Sequence, residues 1–204
     1  ILLITTLHQG FDAYGRNLEV SQRQEWEKVK GRLKEITFNE PVEILLHLAA
    51  EHLQSTRTQT PLETVPTLVD IINQSRTFPH RTALTIELAR KLYPFDPLTA
   101  AVLTLALQHY GQNERSLFTF LNANDRFGLH DFDPAKTPYY NLAVLYDYLL
   151  YNNYAFLATK YNPHYTQWGA IKKAIERTEG SLPEQHVHHA VQLVKVIGLL
   201  NIFG

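Results

Sequence analysis

The chain has 204 residues, of which 45% are hydrophobic and 19% charged, and its formal net charge is −1. These values are typical of a globular protein and show no basic excess that would indicate a nucleic-acid binder. Cys is absent, which excludes disulfides and thiolate metal sites and leads us to expect a cytoplasmic protein. No apolar run is long enough to cross a bilayer, so a membrane is not an expected partner.

The first predicted element is a buried strand over residues 1–7, ILLITTL, whose end turns polar at Thr5, Thr6 and His8. Polar side chains at the carboxyl end of a buried parallel strand lie where α/β proteins bind ligands. They can equally be ordinary strand-end residues. The chain contains no Met and begins inside this strand pattern, so we expect a fragment of a longer protein that supplies the rest of the sheet.

A polar helix is predicted next; a capping-box pattern at residues 21–24 opens it and Arg32 lies near its end. A guanidinium stays ionised, and its planar fork fits phosphate oxygens. In nucleotide hydrolysis such an arginine stabilises charge on the transferred phosphoryl group. With Lys28, Lys30 and Lys34, Arg32 can equally form a solvated basic patch or contact the phosphates of a nucleic acid.

Helical periodicity then continues to the C-terminus, which predicts about eight helices after the single strand. The expected fold is therefore mainly α, a multi-helix bundle with one N-terminal strand that lacks its sheet. Capping residues followed by proline mark the predicted helix starts at Asn39-Glu40-Pro41, Asp96-Pro97, Thr137-Pro138 and Asn162-Pro163, and a second capping box stands at residues 181–184.

Two clusters in the C-terminal half are candidate binding groups. His186, His188 and His189 share the last helix, but a metal needs a third ligand and one carboxylate alone is close in sequence. Eight of the eleven tyrosines lie between Tyr139 and Tyr165, and aromatic rings can stack on bases. Such sites usually interleave basic residues, which are missing from most of this stretch, so core packing is the preferred interpretation.

Three segments occur in a familiar order: ILLITTLHQGFDAYG, QRQEWEKVKGRLKEITFNEP and DPLTAAVLTLALQHYGQNERSLFTFLNANDRFGL. This order resembles the region after the Walker B strand in large bacterial P-loop ATPases of the AAA+/STAND kind, several of which accompany restriction or phage-defence systems. The chain departs from that pattern because the Walker A loop, GxxxxGK[ST], and the metal-binding carboxylate are missing.

The resemblance implies a role for each predicted site residue. Thr6 would be the polar sensor near the γ-phosphate, with Thr5 and His8 beside the nucleotide. Arg32 would complete the site of a neighbouring subunit, which implies a homo-oligomer formed through the ATPase core. ATP and Mg would bind to the intact protein, whereas this chain would bind neither and would not be catalytic alone.

On the same resemblance, residues 1–38 end the ATPase core, 39–95 form a helical lid and 96–204 form a C-terminal helical domain. The expected function is then to couple nucleotide state to a helical regulatory domain, with the rest of the ATPase chain as the first partner. Two alternatives stay open: a non-enzymatic helical protein-interaction module, and a helical nucleic-acid-binding domain with DNA as the partner.

Overall fold

The computed structural model describes residues 19–34, 41–56, 63–76, 84–110, 114–159 and 162–204. Within these ranges the chain is mainly helical, which confirms the predicted fold class. The predicted strand at residues 1–7 lies outside them, as do Thr5, Thr6 and His8 and the predicted cap at Asn39. No helix in the described part of the chain is both long and apolar enough to cross a membrane.

Nine α-helices and a short 3-10 helix at Leu129–Asp131 make up the regular structure of the described residues. In chain order the α-helices are α1 (Val20–Lys30), α2 (Val42–Thr56), α3 (Val65–Ser75), α4 (Ile86–Lys91), α5 (Pro97–Tyr110), α6 (Glu114–Asn122), α7 (Leu142–Leu157), α8 (Tyr165–Ser181) and α9 (Glu184–Phe203).

The chain divides into two compact units, Ile1–Asn39 and Glu40–Gly204. In the first unit, α1 begins after Glu19, whose backbone N–H donates to Oε1 of Gln22 at 3.3 Å. The cap is therefore Glu19, and the predicted cap, Ser21, lies inside the first turn of the helix. The three-domain division expected from the sequence stays a prediction.

In the second unit α5 is central, because it packs against α2, α6, α7 and α9. It is buried over most of its circumference, and its small residues, such as Ala101 and Ala106, let neighbouring helices approach closely. The predicted start at Asp96-Pro97 is confirmed: Oδ1 of Asp96 accepts the backbone N–H of Thr99 at 2.9 Å. Burial raises the pKa of Asp96, while the hydrogen bonds from Thr99 act in the opposite direction.

The start of α7 differs from the prediction at Thr137-Pro138. The helix begins at Leu142, and Oδ1 of its N-cap, Asn141, accepts backbone N–H groups at 3.0 and 3.2 Å. The preceding residue, Tyr140, is instead bridged to Phe95, and its backbone N–H donates to the Pro94 oxygen at 2.8 Å. This pairing with a distant segment holds Tyr140 outside the helix that the local sequence favours.

Helices α8 and α9 form a tight hairpin. Ser181 is the last residue of α8 rather than the predicted cap of α9, and Leu182-Pro183 alone connects the two helices. Gly198 of α9 faces Ile171 of α8 so closely that a Cβ at position 198 would lie 2.6 Å from Cδ1 of Ile171. Glycine at this position therefore permits the close helix packing.

Candidate functional site

Arg32 lies in the turn that follows α1 and is exposed to solvent. Its backbone N–H donates to the Val29 oxygen at 3.0 Å, which closes the end of the helix. Its guanidinium forms no ion pair within the described part of the chain. A positive charge is favourable at the C-terminus of a helix, where the Arg32 guanidinium lies. This guanidinium is available to bind an anionic ligand. The nucleotide site itself stays a prediction, because its other members lie outside the described residues.

The basic patch around Arg32 is partly engaged in local pairs. Nζ of Lys28 lies 2.6 Å from Oε1 of Glu25, and both side chains are exposed. Surface pairs of this kind are weak because water screens them. Lys28 can therefore exchange Glu25 for another anion, and Lys34 is exposed at the end of the same segment.

A second exposed arginine, Arg126 in the second unit, lies against two aromatic rings. Its Cζ atom is 5.1 Å from the ring centre of Phe127 and 5.2 Å from that of Tyr151. The two rings meet edge to face, with centres 5.8 Å apart. Aromatic rings attract a guanidinium and limit its motion, while its N–H groups can still bind a carboxylate or phosphate. We call Arg126, Phe127 and Tyr151 the arginine–aromatic surface.

Hydrogen bonds from several directions hold the turn beneath this surface. Phe127 has φ of 61°, a left-handed conformation that is unusual for an aromatic residue. Its backbone N–H donates to Oδ2 of Asp131 at 2.8 Å, and its oxygen accepts the Tyr140 hydroxyl at 2.7 Å. The Arg126 oxygen accepts Nδ2 of Asn152 at 3.1 Å. Conformations of this kind persist where surrounding contacts impose them, and they are frequent at binding sites.

A third cluster joins the ends of α5 and α9 to the start of α8. Nε1 of Trp168 donates to the Tyr110 hydroxyl oxygen at 3.0 Å, and that oxygen lies 3.1 Å from Nδ1 of His164. Burial, and then the neighbouring His109, lower the pKa of His164, so at neutral pH its Nδ1 can accept the Tyr110 hydrogen. The Phe203 ring packs 6.0 Å from the His164 ring, centre to centre. We interpret the cluster as the anchor of the C-terminal helix.

The remaining predicted groups separate into buried and exposed sets. Tyr140 and Tyr146 are buried, as the core-packing interpretation predicts, whereas Tyr151 and Tyr154 are more than half exposed. The histidines at positions 186, 188 and 189 are exposed on α9. Across the described ranges there is no group of three side chains that could hold a metal ion.

Sequence reasoning missed the arginine–aromatic surface. Arg126 stands in a loop rich in Asn, Asp and Gly, where a single basic residue carries no periodic signal. Its partner Tyr151 lies far along the chain, and the bend that brings the two together depends on Asn152 and Tyr140. The turn-forming composition around Gly128 is the one local signal that could have drawn attention to it.

Comparisons of the chain with protein-family models, with curated proteins and with solved structures find no match. The relation to AAA+/STAND ATPases therefore stays a resemblance of three sequence segments.

Proposed function

We propose that this chain is a helical protein-interaction module whose arginine–aromatic surface binds an acidic side chain of a partner protein. The observation that carries the proposal is the exposed guanidinium of Arg126, held against two rings on a turn with an unusual backbone. Because the turn and the side chain are already ordered, binding loses little conformational entropy there. A carboxylate would meet the guanidinium fork through two parallel hydrogen bonds.

The charges around Arg126 favour a single carboxylate over a polyanion. Asp125 and Asp131 flank it in the same loop, and each accepts a hydrogen bond from a neighbouring group. A nucleic-acid backbone would bring several phosphates close to these two carboxylates, which would repel them. A single acidic side chain can contact Arg126 without bringing further negative charges near Asp125 and Asp131. Exposed Tyr151 and Tyr154, one helical turn apart, offer apolar contact to the residues beside it.

The proposal predicts that Arg126→Ala weakens binding of an acidic peptide by about tenfold to a hundredfold, since one charge-assisted pair is lost. The probe is a short labelled peptide of alternating Glu and Phe residues, and the measurement is fluorescence anisotropy. The affinity of Arg126→Lys for the peptide should lie between those of the original chain and of Arg126→Ala, because lysine keeps the charge and lacks the planar fork.

Arg177→Ala serves as the matched control, because Arg177 is also exposed but lies on α8. The control should bind as the original chain does. Equal affinities for the original chain and for Arg126→Ala would contradict the proposal, and so would tighter binding of oligothymidine than of the peptide.

A second candidate function is supported by Arg32, which is exposed and without an ion pair in the described residues. We propose that the chain belongs to a cytoplasmic bacterial ATPase in which ATP and Mg bind to the rest of the protein. Arg32 would stabilise charge on the γ-phosphate across a homo-oligomer, and the helical unit would respond to nucleotide state. The order of segments that resembles AAA+/STAND proteins supports this proposal as well.

In the intact protein, Arg32→Ala should lower ATP turnover by about three to five powers of ten, as arginines of this type do, and leave ATP binding nearly unchanged. Turnover by steady-state assay and binding by calorimetry separate the two effects. Lys34→Ala is the control, because Lys34 is exposed two residues away and should leave turnover intact. Unchanged turnover in Arg32→Ala would exclude this role.

The nucleic-acid alternative predicts another pattern in the same variants. Arg32→Ala and Lys34→Ala would weaken DNA binding to a similar degree. The affinity for DNA would fall steeply with salt concentration, because phosphate contacts release counterions.

A further inference from the structure

The anchor of the C-terminal helix contains a hydrogen bond that requires a neutral histidine. The indole Nε1 of Trp168 can only donate, so the Tyr110 hydroxyl oxygen, 3.0 Å away, is the acceptor of that bond. The hydroxyl hydrogen can then be donated to Nδ1 of His164, which lies 3.1 Å from the same oxygen. A ring nitrogen accepts a hydrogen bond only while it carries no proton, so this bond exists only with a neutral His164.

A second imidazole lies beside the first. The ring centres of His109 and His164 are 5.5 Å apart, and the ring of Phe203 packs 6.0 Å from each of them. Histidine is the side chain that gains a proton at mildly acidic pH. A positive charge on His109 opposes a second one on His164, and an imidazolium among aromatic rings also loses part of its hydration.

The other groups around His164 supply no negative charge that would compensate for a proton. Among the described residues, the titratable groups that face it are His109 and Tyr110 of α5, and it forms no ion pair with a carboxylate. Helix α9 contributes Phe203 to the cluster and α8 contributes Trp168, and neither side chain titrates. Burial, and then His109, lower the pKa of His164 from its ordinary value of 6.5.

We propose that His109 and His164 make the anchor of α9 sensitive to pH, so that mild acidification releases the last turn of this helix from the bundle. The released side chain is Phe203, because its ring packs against both histidines and against Tyr110. Once the turn is released, His164 is hydrated and binds a proton freely. The rest of α9 stays on the bundle, since Leu199, one turn earlier, is fully buried in the main core.

The direction of the effect follows from which state binds the proton more readily. The released state, in which His164 has its ordinary pKa near 6.5, gains a proton before the anchored state does. The anchoring is therefore complete above about pH 6.5 and weakens as the pH falls below that value, until His164 is protonated in the anchored state as well. One proton is linked to release, so the equilibrium constant for release rises by at most about tenfold per pH unit.

Hydrogen exchange of the full chain between about pH 8 and pH 5 measures the release, because protection factors correct for the intrinsic effect of pH on exchange. Protection of the Phe203 amide should fall by at most about tenfold per pH unit below about pH 6.5. Protection of the Leu103 amide, in the buried centre of α5, should stay constant. Over the same range, NMR should show the His164 imidazole titrating below pH 6.5.

The decisive variant is His164→Asn, because Oδ1 of asparagine can accept the Tyr110 hydrogen and does not titrate. Protection of the Phe203 amide in this variant should be independent of pH. His130→Asn is the matched control, since His130 is exposed and lies outside the cluster, and it should keep the response of the original chain. In His109→Asn the response should be smaller, because one of the two causes that oppose protonation of His164 is gone.

Three results would overturn the proposal: constant protection of the Phe203 amide in the original chain, the original pH dependence in His164→Asn, or titration of His164 at or above pH 6.5. If the asparagine itself loosens the last turn at every pH, the original chain decides. The fall in protection must then level off where His164 titrates in the anchored chain, and a fall that continues beyond that pH contradicts the proposal.

Discussion

Above pH 10 the free energy of unfolding should fall by about 4 kcal/mol per pH unit, because three buried tyrosines stay protonated in the folded state. Burial raises the pKa of Tyr146 to about 12. Burial also raises the pKa of Tyr140, and that of Tyr148, whose hydroxyl additionally faces Asp125. All three are at most 6% exposed.

The sign follows from proton binding in the two states. A tyrosine in the unfolded chain loses its proton near pH 10, whereas the buried side chains hold theirs to higher pH. Their stabilising contribution is therefore complete below about pH 10 and is lost as the pH rises through the folded-state pKa values. Each of the three contributes about 1.4 kcal/mol to the loss per pH unit.

Urea unfolding followed by circular dichroism between about pH 8 and pH 12 measures this slope. Tyr148→Phe should remove about a third of it, because phenylalanine fills the same space without an ionisable hydroxyl. Tyr151→Phe, at an exposed position, is the control and should leave the slope unchanged. A free energy of unfolding that stays level from pH 10 to about pH 12 would refute the prediction.

The second large effect is expected from Trp168→Ala, which should cost about 3–5 kcal/mol of stability. Trp168 is 5% exposed, and its ring packs on Tyr146 with centres 5.5 Å apart. Removing it leaves a cavity between α7 and α8 and takes away the indole N–H that donates to Tyr110. The end of α9, which Phe203 anchors in the same cluster, should loosen as well.

Trp168→Phe separates the two contributions. Phenylalanine preserves much of the ring packing but lacks the N–H, so it should cost about 1–2 kcal/mol. Denaturant unfolding gives both values, and hydrogen exchange of the last turn of α9 reports the loss of anchoring. A cost below about 1 kcal/mol for the alanine variant would show that the cluster does not support the bundle.

The sequence predicts helix starts correctly where the capping residues act within a single helical turn, and less well where contacts between distant segments decide. Asp96-Pro97 opens α5 as expected, because the cap and the proline act within one helical turn. The cap of α7 is Asn141, four residues after the predicted Thr137, since the bridge between Tyr140 and Phe95 depends on a contact across the whole of α5 and α6. The capping box at 181–184 was also wrong, since α8 continues through Gly180 to Ser181 and α9 begins only after Pro183.

The candidate sites divide in the same way. Arg32 could be placed at an exposed helix end from sequence, because the position depends on α1 alone. Arg126 could not, because its rings come from different elements and its turn is shaped by side chains from α7.

The Tyr110 hydroxyl has a consequence for how this protein can evolve. The hydroxyl accepts a hydrogen bond from Trp168 and can donate one to His164. No other natural side chain of that length has both a donor and an acceptor on one terminal atom. A change at any one of the three positions leaves a half-buried polar atom without its partner. The three positions are therefore expected to be inherited as a unit, retained together or replaced together among descendants of this sequence.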